Sequence, residues 1–360
     1  MKARFEALII ILRALDWHKV SLTWNFNRWF VFLGVKLFVP NSSATKFWDL
    51  RRGTDAWDLS SRLYFHFSAR NKRLDQASVP DLLVVARHGR FGNNIRQILY
   101  SLAVAERLGV REVVARSIPE FPYGSWDVSP NLTLTHDPVL RPRRVARPRT
   151  ILAGDFFVVP RLPTPIDDVD YTVLGGGLVR ASGLCEAPPL PMDTLVIHIR
   201  SGDVFRERPH HSLGQPPLSF YEKVLEHSRP KNVTLVYEDA LNPVIPKLQL
   251  RLESLSIPYS VHSGDLRSDL QLLLSARQLV TGNGTFGQAL LVLSPHIERW
   301  YDFGVGQERF PTARRRSVVS ITDRDGEYVS ALGHWENSPS QRDLMLEYPA
   351  ANLELTERSS

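Results

Sequence analysis

Three short segments place polar residues and glycines where apolar runs stop. They are HGRFGNN at 88–94, HIRSGD at 198–203 and TGNGTFGQ at 281–288. An arginine at the end of a strand, here Arg200, can hold a diphosphate through two parallel charged hydrogen bonds, which a lysine does less specifically. Glycines beside a hydroxyl at a strand-to-helix junction, here Gly282, Gly284 and Thr285, let backbone amides and the positive end of a helix close on an anion. The implied chemistry is the handling of a phosphorylated ligand. Each segment also has a plain structural account. Gly89 and Gly92 can simply serve a tight βα turn, with Asn93 or Asn94 capping the next helix instead of binding a ligand. Arg200 can pair with Asp203, and His198 can be a buried, hydrogen-bonded strand residue. Asp269, in SGDLRSDL at 263–270, can accept from the N1 and N2 edge of a guanine, a pattern adenine does not offer, or can act as a first-turn carboxylate favourable to the helix dipole. The first segment has neither the GxGxxG spacing of a dinucleotide site nor the GK[ST] of a P-loop.

The elements that must carry these segments follow from apolar periodicity. Leu82–Ala86 reads as a short buried strand, 93–109 as a helix stopped at Gly109, and 110–117 as the next strand, which together make a βαβ unit. Further on, strands are expected at 194–200, 232–239, 257–263 and 279–283, with NPVIPKLQLRLESLS leading into the third of them. Helices are expected at 218–228 behind Pro217, at 265–278 and from Gly284 onward. This alternation predicts an α/β protein with mostly parallel sheets, whose ligands bind beyond the carboxyl ends of the strands. Residues 1–80 are expected to form an N-terminal extension, 81–190 a first lobe on the acceptor side, 191–330 a second, nucleotide-binding lobe and 331–360 a tail. The lobes are expected to part between 180 and 193, where EAPPLPMD breaks the pattern. The proline- and glycine-dense stretch from 118 to 180 offers one clear strand, in TILAGDFFVV, and otherwise suits loops or an acceptor-binding surface.

Composition narrows the function classes. The formal charge is +6, and much of the excess sits in tracts at 141–149 and 313–316. Neither tract has interleaved aromatics or a recognition helix, so both read as solvated loops and no nucleic-acid partner is expected. The single cysteine, Cys185, excludes an intrachain disulfide and a cysteine-based zinc cluster. Asp168 and Asp170 have DxD spacing, but PTPIDDVDY reads as an exposed acidic turn, and no metal is expected. In residues 1–40 the apolar runs are broken by Arg13 and Lys36 and are too short to span a bilayer. Trp17, Trp24 and Trp29 with nearby basic residues suit an interfacial helix in peripheral contact with a membrane, or a packing extension. Sequons at Asn41, Asn131, Asn232 and Asn283 matter only on a secretory route.

The three segments, in order, carry a resemblance. HGRFGNNIRQILYSLAVAERLG resembles the GGLGNQxFQYAxAxxLA segment of the α-1,2-fucosyltransferases, HIRSGD their HxRRGD signature, and LRSDLQLLLSARQLVTGNGTFGQALLVL their DLxLMxxCxxxIxxNSTFSWWxAxL region, over residues 82 to 295. The resemblance implies a GT-B-like arrangement of two Rossmann-type lobes and inverting transfer of fucose from GDP-fucose to a glycan hydroxyl, with no cofactor. It places the phosphate-binding arginine on Arg200, the nucleotide-contacting acid on Asp269, the phosphate-side pair on Thr285 and Phe286 beside Gly284, and the amino-terminal glycine and asparagine on Gly92 and Asn93. His198 joins the donor-binding set. Arg200, Asp203 and His88 form the catalytic set, and Asp203, His88, His198 and Glu238 are the candidate general bases. The sequence departs from the family where Ser201 replaces the second arginine, Gly284 the serine, and Gly287 and Gln288 the two tryptophans. Other readings are a different sugar-nucleotide or polysaccharide-modifying transferase, such as a pyruvyltransferase, and a degenerate homologue that binds without turnover. A bacterial enzyme of this kind would be cytoplasmic or membrane-associated, a eukaryotic one Golgi-resident.

Overall fold

A computed structural model describes residues 47–50, 82–85, 90–115, 121, 124–136, 151–154, 156–157, 166, 168–185, 187–207, 209, 214–304 and 316–359. The chain is α/β and divides into two compact units between Val169 and Asp170. Residues 1–40, with their expected membrane contact, and the basic tract at 141–149 lie outside the described residues. Among the described residues, no helix is long and apolar enough to cross a membrane, and no cluster of His, Cys, Asp and Glu is placed to hold a metal ion.

The first unit contains strands β1 (Phe47–Leu50), β2 (Leu82–Val85), β3 (Glu112–Ala115), β4 (Gly124–Ser129), β5 (Leu132–His136) and β6 (Ile151–Gly154), and helix α1 (Phe91–Leu108). The sheet runs β1-β6-β2-β3-β5-β4, parallel except for the β4–β5 pair. Helix α1 buries Ile95, Ile98, Leu99 and Leu102, the i, i+3, i+4, i+7 stripe that its sequence announced. It stops at Gly109, which adopts φ +69 and returns its amide to the carbonyls of Ala105 and Glu106. β2–α1–β3 is thus the expected βαβ unit. The β4–β5 hairpin within 118–180 lacked a readable signal, because its exposed strand β4 carries Ser125, Trp126 and Asp127 in place of a β-branched run.

The second unit holds α2 (Tyr171–Ser182), β7 (Thr194–His198), α3 (Leu218–Ser228), β8 (Asn232–Val236), α4 (Val244–Ser254), β9 (Tyr259–His262), α5 (Leu266–Ser275), β10 (Gln278–Thr281), α6 (Thr285–Leu293), β11 (Arg299–Phe303), β12 (Ser317–Asp323), α7 (Glu327–Leu332), α8 (Pro339–Glu347) and β13 (Leu353–Ser359). Its sheet runs β13-β12-β11-β10-β7-β8-β9, with only β13 antiparallel. The central strands β7 and β10 are buried on both faces, with apolar Leu195–Ile197 and Leu279–Val280 at their middles. The helices form two mutually packed groups, α3 with α4 and α8, and α2 with α5 and α6.

Two expected boundaries move. The units part before α2, not at 180–193. Gly175 of α2 lies so close to α6 that a Cβ there would sit 2.5 Å from the Val292 carbonyl oxygen, and this contact ties α2 to the second unit. The 331–360 segment is no tail, for β13 completes the sheet edge and Trp335 and Met345 are fully buried in its core.

Candidate functional site

The order of the second sheet locates its ligand crevice. From β7 the chain adds β8 and then β9 on one side, and returns to β10 on the other side of β7. The switch point therefore lies beyond the carboxyl ends of β7 and β10, which is where open α/β sheets bind ligands. His198 and Thr281 are register partners at those two ends. HIRSGD and TGNGTFGQ, distant in sequence, leave the sheet side by side.

At the β10 end, Gly284 caps α6 with φ +120 and ψ 178, a conformation essentially reserved for glycine. The Gly284 cap offers the helix no side chain and the first turn has no acidic residue, so the positive end of the helix dipole is not offset by a carboxylate of its own turn. The Arg200 guanidinium stands over this end, with Nη1 3.6 Å from where a Gly284 Cβ would be. Arg200 also faces Asp203, Nη2 to Oδ1 at 3.6 Å, with both side chains about a fifth exposed. Two positive features thus converge on one spot, with one carboxylate beside them.

His198 packs its ring on Phe286, centroids 4.6 Å apart. Burial, with the neighbouring Arg200 charge, lowers its pKa to about 4. Its imidazole is therefore neutral at physiological pH.

Ser201 accounts for its own departure from the family pattern. It is 2% exposed, and its hydroxyl donates to Asp239 and accepts from the Asn242 amide at 3.1 Å. The Asp239 carboxylate also accepts from the Gly202 and Leu241 amides at 3.1 Å each. Burial alone would raise Asp239, but the bonds from Ser201, Leu241 and Gly202 and the charge of Arg206 hold it below the ordinary aspartate range. The Asn242 side-chain amide, itself 0% exposed within its residue, donates to the Arg200 carbonyl at 2.9 Å. The main chain of the arginine is thereby held from β8's loop. An arginine at 201 would have to enter this closed network.

Gly287 is equally constrained. A Cβ there would lie 2.0 Å from the Thr281 hydroxyl, which is held in place by the Trp300 indole N–H at 2.9 Å. The position faces the sheet, where no tryptophan fits.

Asp269 lies at the β9–α5 corner, its side chain 14% exposed, with Oδ1 accepting from the Gly264 amide at 3.2 Å and facing His262 Nε2 at 3.2 Å. Burial raises its carboxyl, with Gly264 and His262 pulling down and Asp265 and Glu238 pushing up. The helix-capping role falls to Asp265, which accepts from the Ser268 amide at 2.8 Å. Asp269 is thus close to Glu238, which in turn lies against Gly202, so it belongs to the same sheet edge as Arg200.

Gly92 and Asn93 lie in the first turn of α1 in the first unit. His88 lies outside the described residues. Asp168 pairs with Arg107 and Asp170 caps α2 through the Thr172 amide at 3.0 Å, so the DxD spacing serves structure.

Several contributors had no visible motif. The Trp335 indole donates to the Val204 carbonyl at 2.7 Å, and the Asn337 side chain to that of Phe205 at 2.7 Å, so the segment between α7 and α8 clamps the turn after Arg200. Tyr328 donates to the Gln215 carbonyl at 2.6 Å and Asn283 to that of Gly214 at 3.1 Å, tying the same region to the β10 loop. The Asp239–Asn242–Pro243 turn signal could have pointed to Asn242. Nothing in the sequence pointed to Trp335.

No protein-family model matches the sequence, and no curated protein matches it. Among solved structures, the chain is similar to POFUT1 in complex with GDP, at 13% identity over 63% of this chain and 99% of that one, with a TM-score of 0.38. It is also similar to a glycosyl transferase family 9 protein from Veillonella parvula, at 9% identity over 76% and 97% of the two chains, with a TM-score of 0.40. An Arabidopsis thaliana FUT1 variant in complex with GDP shows 14% identity over 71% and 76%, with a TM-score of 0.40.

Proposed function

We propose that the chain is a GT-B-like, inverting glycosyltransferase that moves fucose from GDP-fucose to a glycan hydroxyl. The observation that carries this reading is the Arg200 guanidinium poised over the amino end of α6, at the switch point of the second sheet. Cation and helix end both favour an anion, and the space they share is where a departing diphosphate would gather charge. Fixed donors aimed at developing charge are the largest catalytic contribution such a site can make. Arg200 and the amides from Gly284 to Phe286 take the diphosphate, Asp203 orients the guanidinium, and Asp269 reads the base through the carboxylate oxygen that the Gly264 amide does not occupy. No metal takes part.

Ser201 and Gly284 are the two departures that would first suggest a degenerate binder. Both are built into the second unit for structural reasons, which supports the enzyme over the binder. The test is a thermal-shift panel with GDP, UDP, CDP and ADP, followed by hydrolysis of the matching sugar nucleotides. GDP should give the largest shift, and Arg200→Ala should abolish transfer and weaken GDP binding at least tenfold. A UDP preference would reject fucose as the donor sugar, and near-normal transfer by Arg200→Ala would reject the mechanism.

A further inference from the structure

One carboxylate on this edge takes no part in the donor grip described above. Glu238 follows β8, the strand between β7 and β9. Its carboxylate lies flat against the turn after Arg200, so that a Cβ on Gly202 would sit 2.2 Å from Oε2 and 3.0 Å from Oε1. Gly202 stands at φ +62, and its missing side chain is what leaves the carboxylate room. One oxygen of the neighbouring Asp239, Oδ1, is taken by Ser201 and two amides, whereas Glu238 is exposed and, among the described residues, accepts a hydrogen bond at its main-chain carbonyl, from Ser263 at 3.4 Å. Its charge also reaches Asp269 on the β9 side.

The sheet order gives this position a meaning. Across β10-β7-β8-β9 the edge presents, in turn, the α6 amides, Arg200, Glu238 and Asp269. Neighbouring strands lie about 4.8 Å apart, so the row spans about 14 Å, which an extended nucleoside diphosphate can cover. Anion donors occupy one end and hydrogen-bond acceptors the other. Between a diphosphate and a base comes the ribose, whose two adjacent hydroxyls are donors that a carboxylate with both oxygens open can accept together.

We propose that Glu238 is the residue that binds the 2′,3′-diol of the donor's ribose and gives this protein selectivity for ribonucleotides over deoxyribonucleotides. The proposal rests on the nucleotide-sugar reading of the Arg200 site. Isothermal titration of the full chain with GDP and with 2′-deoxy-GDP tests it. A charge-assisted hydrogen bond in such a site corresponds to about tenfold or more in affinity, so the wild type should bind GDP at least tenfold tighter than 2′-deoxy-GDP. Glu238→Ala should lose that discrimination, binding GDP about tenfold more weakly and 2′-deoxy-GDP within twofold of the wild type, with an unchanged melting temperature because the side chain is exposed. Gly202→Ala, which pushes the carboxylate aside without removing it, should also narrow the GDP to 2′-deoxy-GDP ratio. Wild-type protein that binds both nucleotides equally, or a Glu238→Ala variant that still discriminates, overturns the assignment while leaving the donor site intact. Wild-type protein that binds neither overturns the assignment and the nucleotide reading together.

Discussion

Gly284→Ala isolates the backbone contribution to the site. A Cβ at this position would meet only Arg200 Nη1, at 3.6 Å, which is ordinary contact, so the substitution adds no clash. The cost comes from φ +120 and ψ 178, which an L-residue holds at about 1–3 kcal/mol. The chain then has two choices. It keeps its conformation and loses that stability, or it turns the cap to an ordinary extended angle and swings the first amides of α6 away from Arg200. Urea unfolding reads the first outcome as a lower midpoint at constant slope, and for a domain of this size each kcal/mol lowers the melting temperature by about 2–4 °C. GDP titration reads the second as about a tenfold loss of affinity. Gly284→Ser should behave as alanine does, even though serine stands here in the family that the sequence resembles. Gly326→Ala is the control: it has φ +72 with nothing within 4 Å of its Cβ, so it should cost about 1 kcal/mol and leave GDP affinity unchanged. A Gly284→Ala protein with wild-type midpoint and wild-type GDP affinity would refute the argument that the helix end is set by this glycine.

Three further outcomes are expected. Ser201→Ala removes one bond to Asp239 and leaves the buried Asn242 amide without its acceptor, a loss of about 1–3 kcal/mol in denaturant unfolding, together with weaker GDP binding because the Arg200 main chain loosens. His198 titrates at about 4 in the folded protein against about 6.5 when unfolded, so between those values only the unfolded chain holds the proton. Stability should therefore rise by about 3 kcal/mol from pH 4 to pH 6.5 and level off above, and His198→Asn, compared with wild type by urea midpoints across that range, should lack this component. Trp335→Ala should cost about 3–5 kcal/mol and expose the Val204 carbonyl, and a chain ending at 330 should fail to fold its second unit by circular dichroism.

The legible parts of this sequence were those where one local rule decides. Apolar runs with β-branching gave β7 and β8, whereas the helix expected through 278 stops at Ser275 and β10 begins at Gln278; the 218–228 helix was read to its observed ends because Pro217 marks its start. The strand-end motifs HIRSGD and TGNGTFGQ were readable for the same reason, since polar residues and glycine after a buried strand have few other uses. What stayed hidden was long-range. No local pattern tells that Trp335 reaches the carbonyl of Val204, or that the polar strand LELTERS closes the sheet beside β12. The glycine-rich GGG of α2 reads as a helix breaker by propensity, yet Gly175 is the residue that lets α2 approach α6. Family comparison by letters misled in its own way, since Ser201, Gly284 and Gly287 look like losses in a string and prove to be the residues that this backbone admits.

The charges at the sheet edge make a further point about direction. Beyond β7 and β10 stand donors, namely the Arg200 guanidinium and the α6 amino end. Beyond β8 and β9 stand acceptors, Glu238 and Asp269, and Asp239 and Asp265, each with Oδ1 on a backbone amide, add negative charge to the same end of the edge. A ligand that is anionic at one end and rich in N–H and O–H donors at the other is held in only one orientation by such an edge. Reversed, it would set phosphate against Glu238 and leave Arg200 facing groups that only donate. A nucleoside diphosphate has that polarity, and held this way its terminal phosphate, and any sugar attached to it, lies at the β7–β10 crevice, where developing charge meets Arg200.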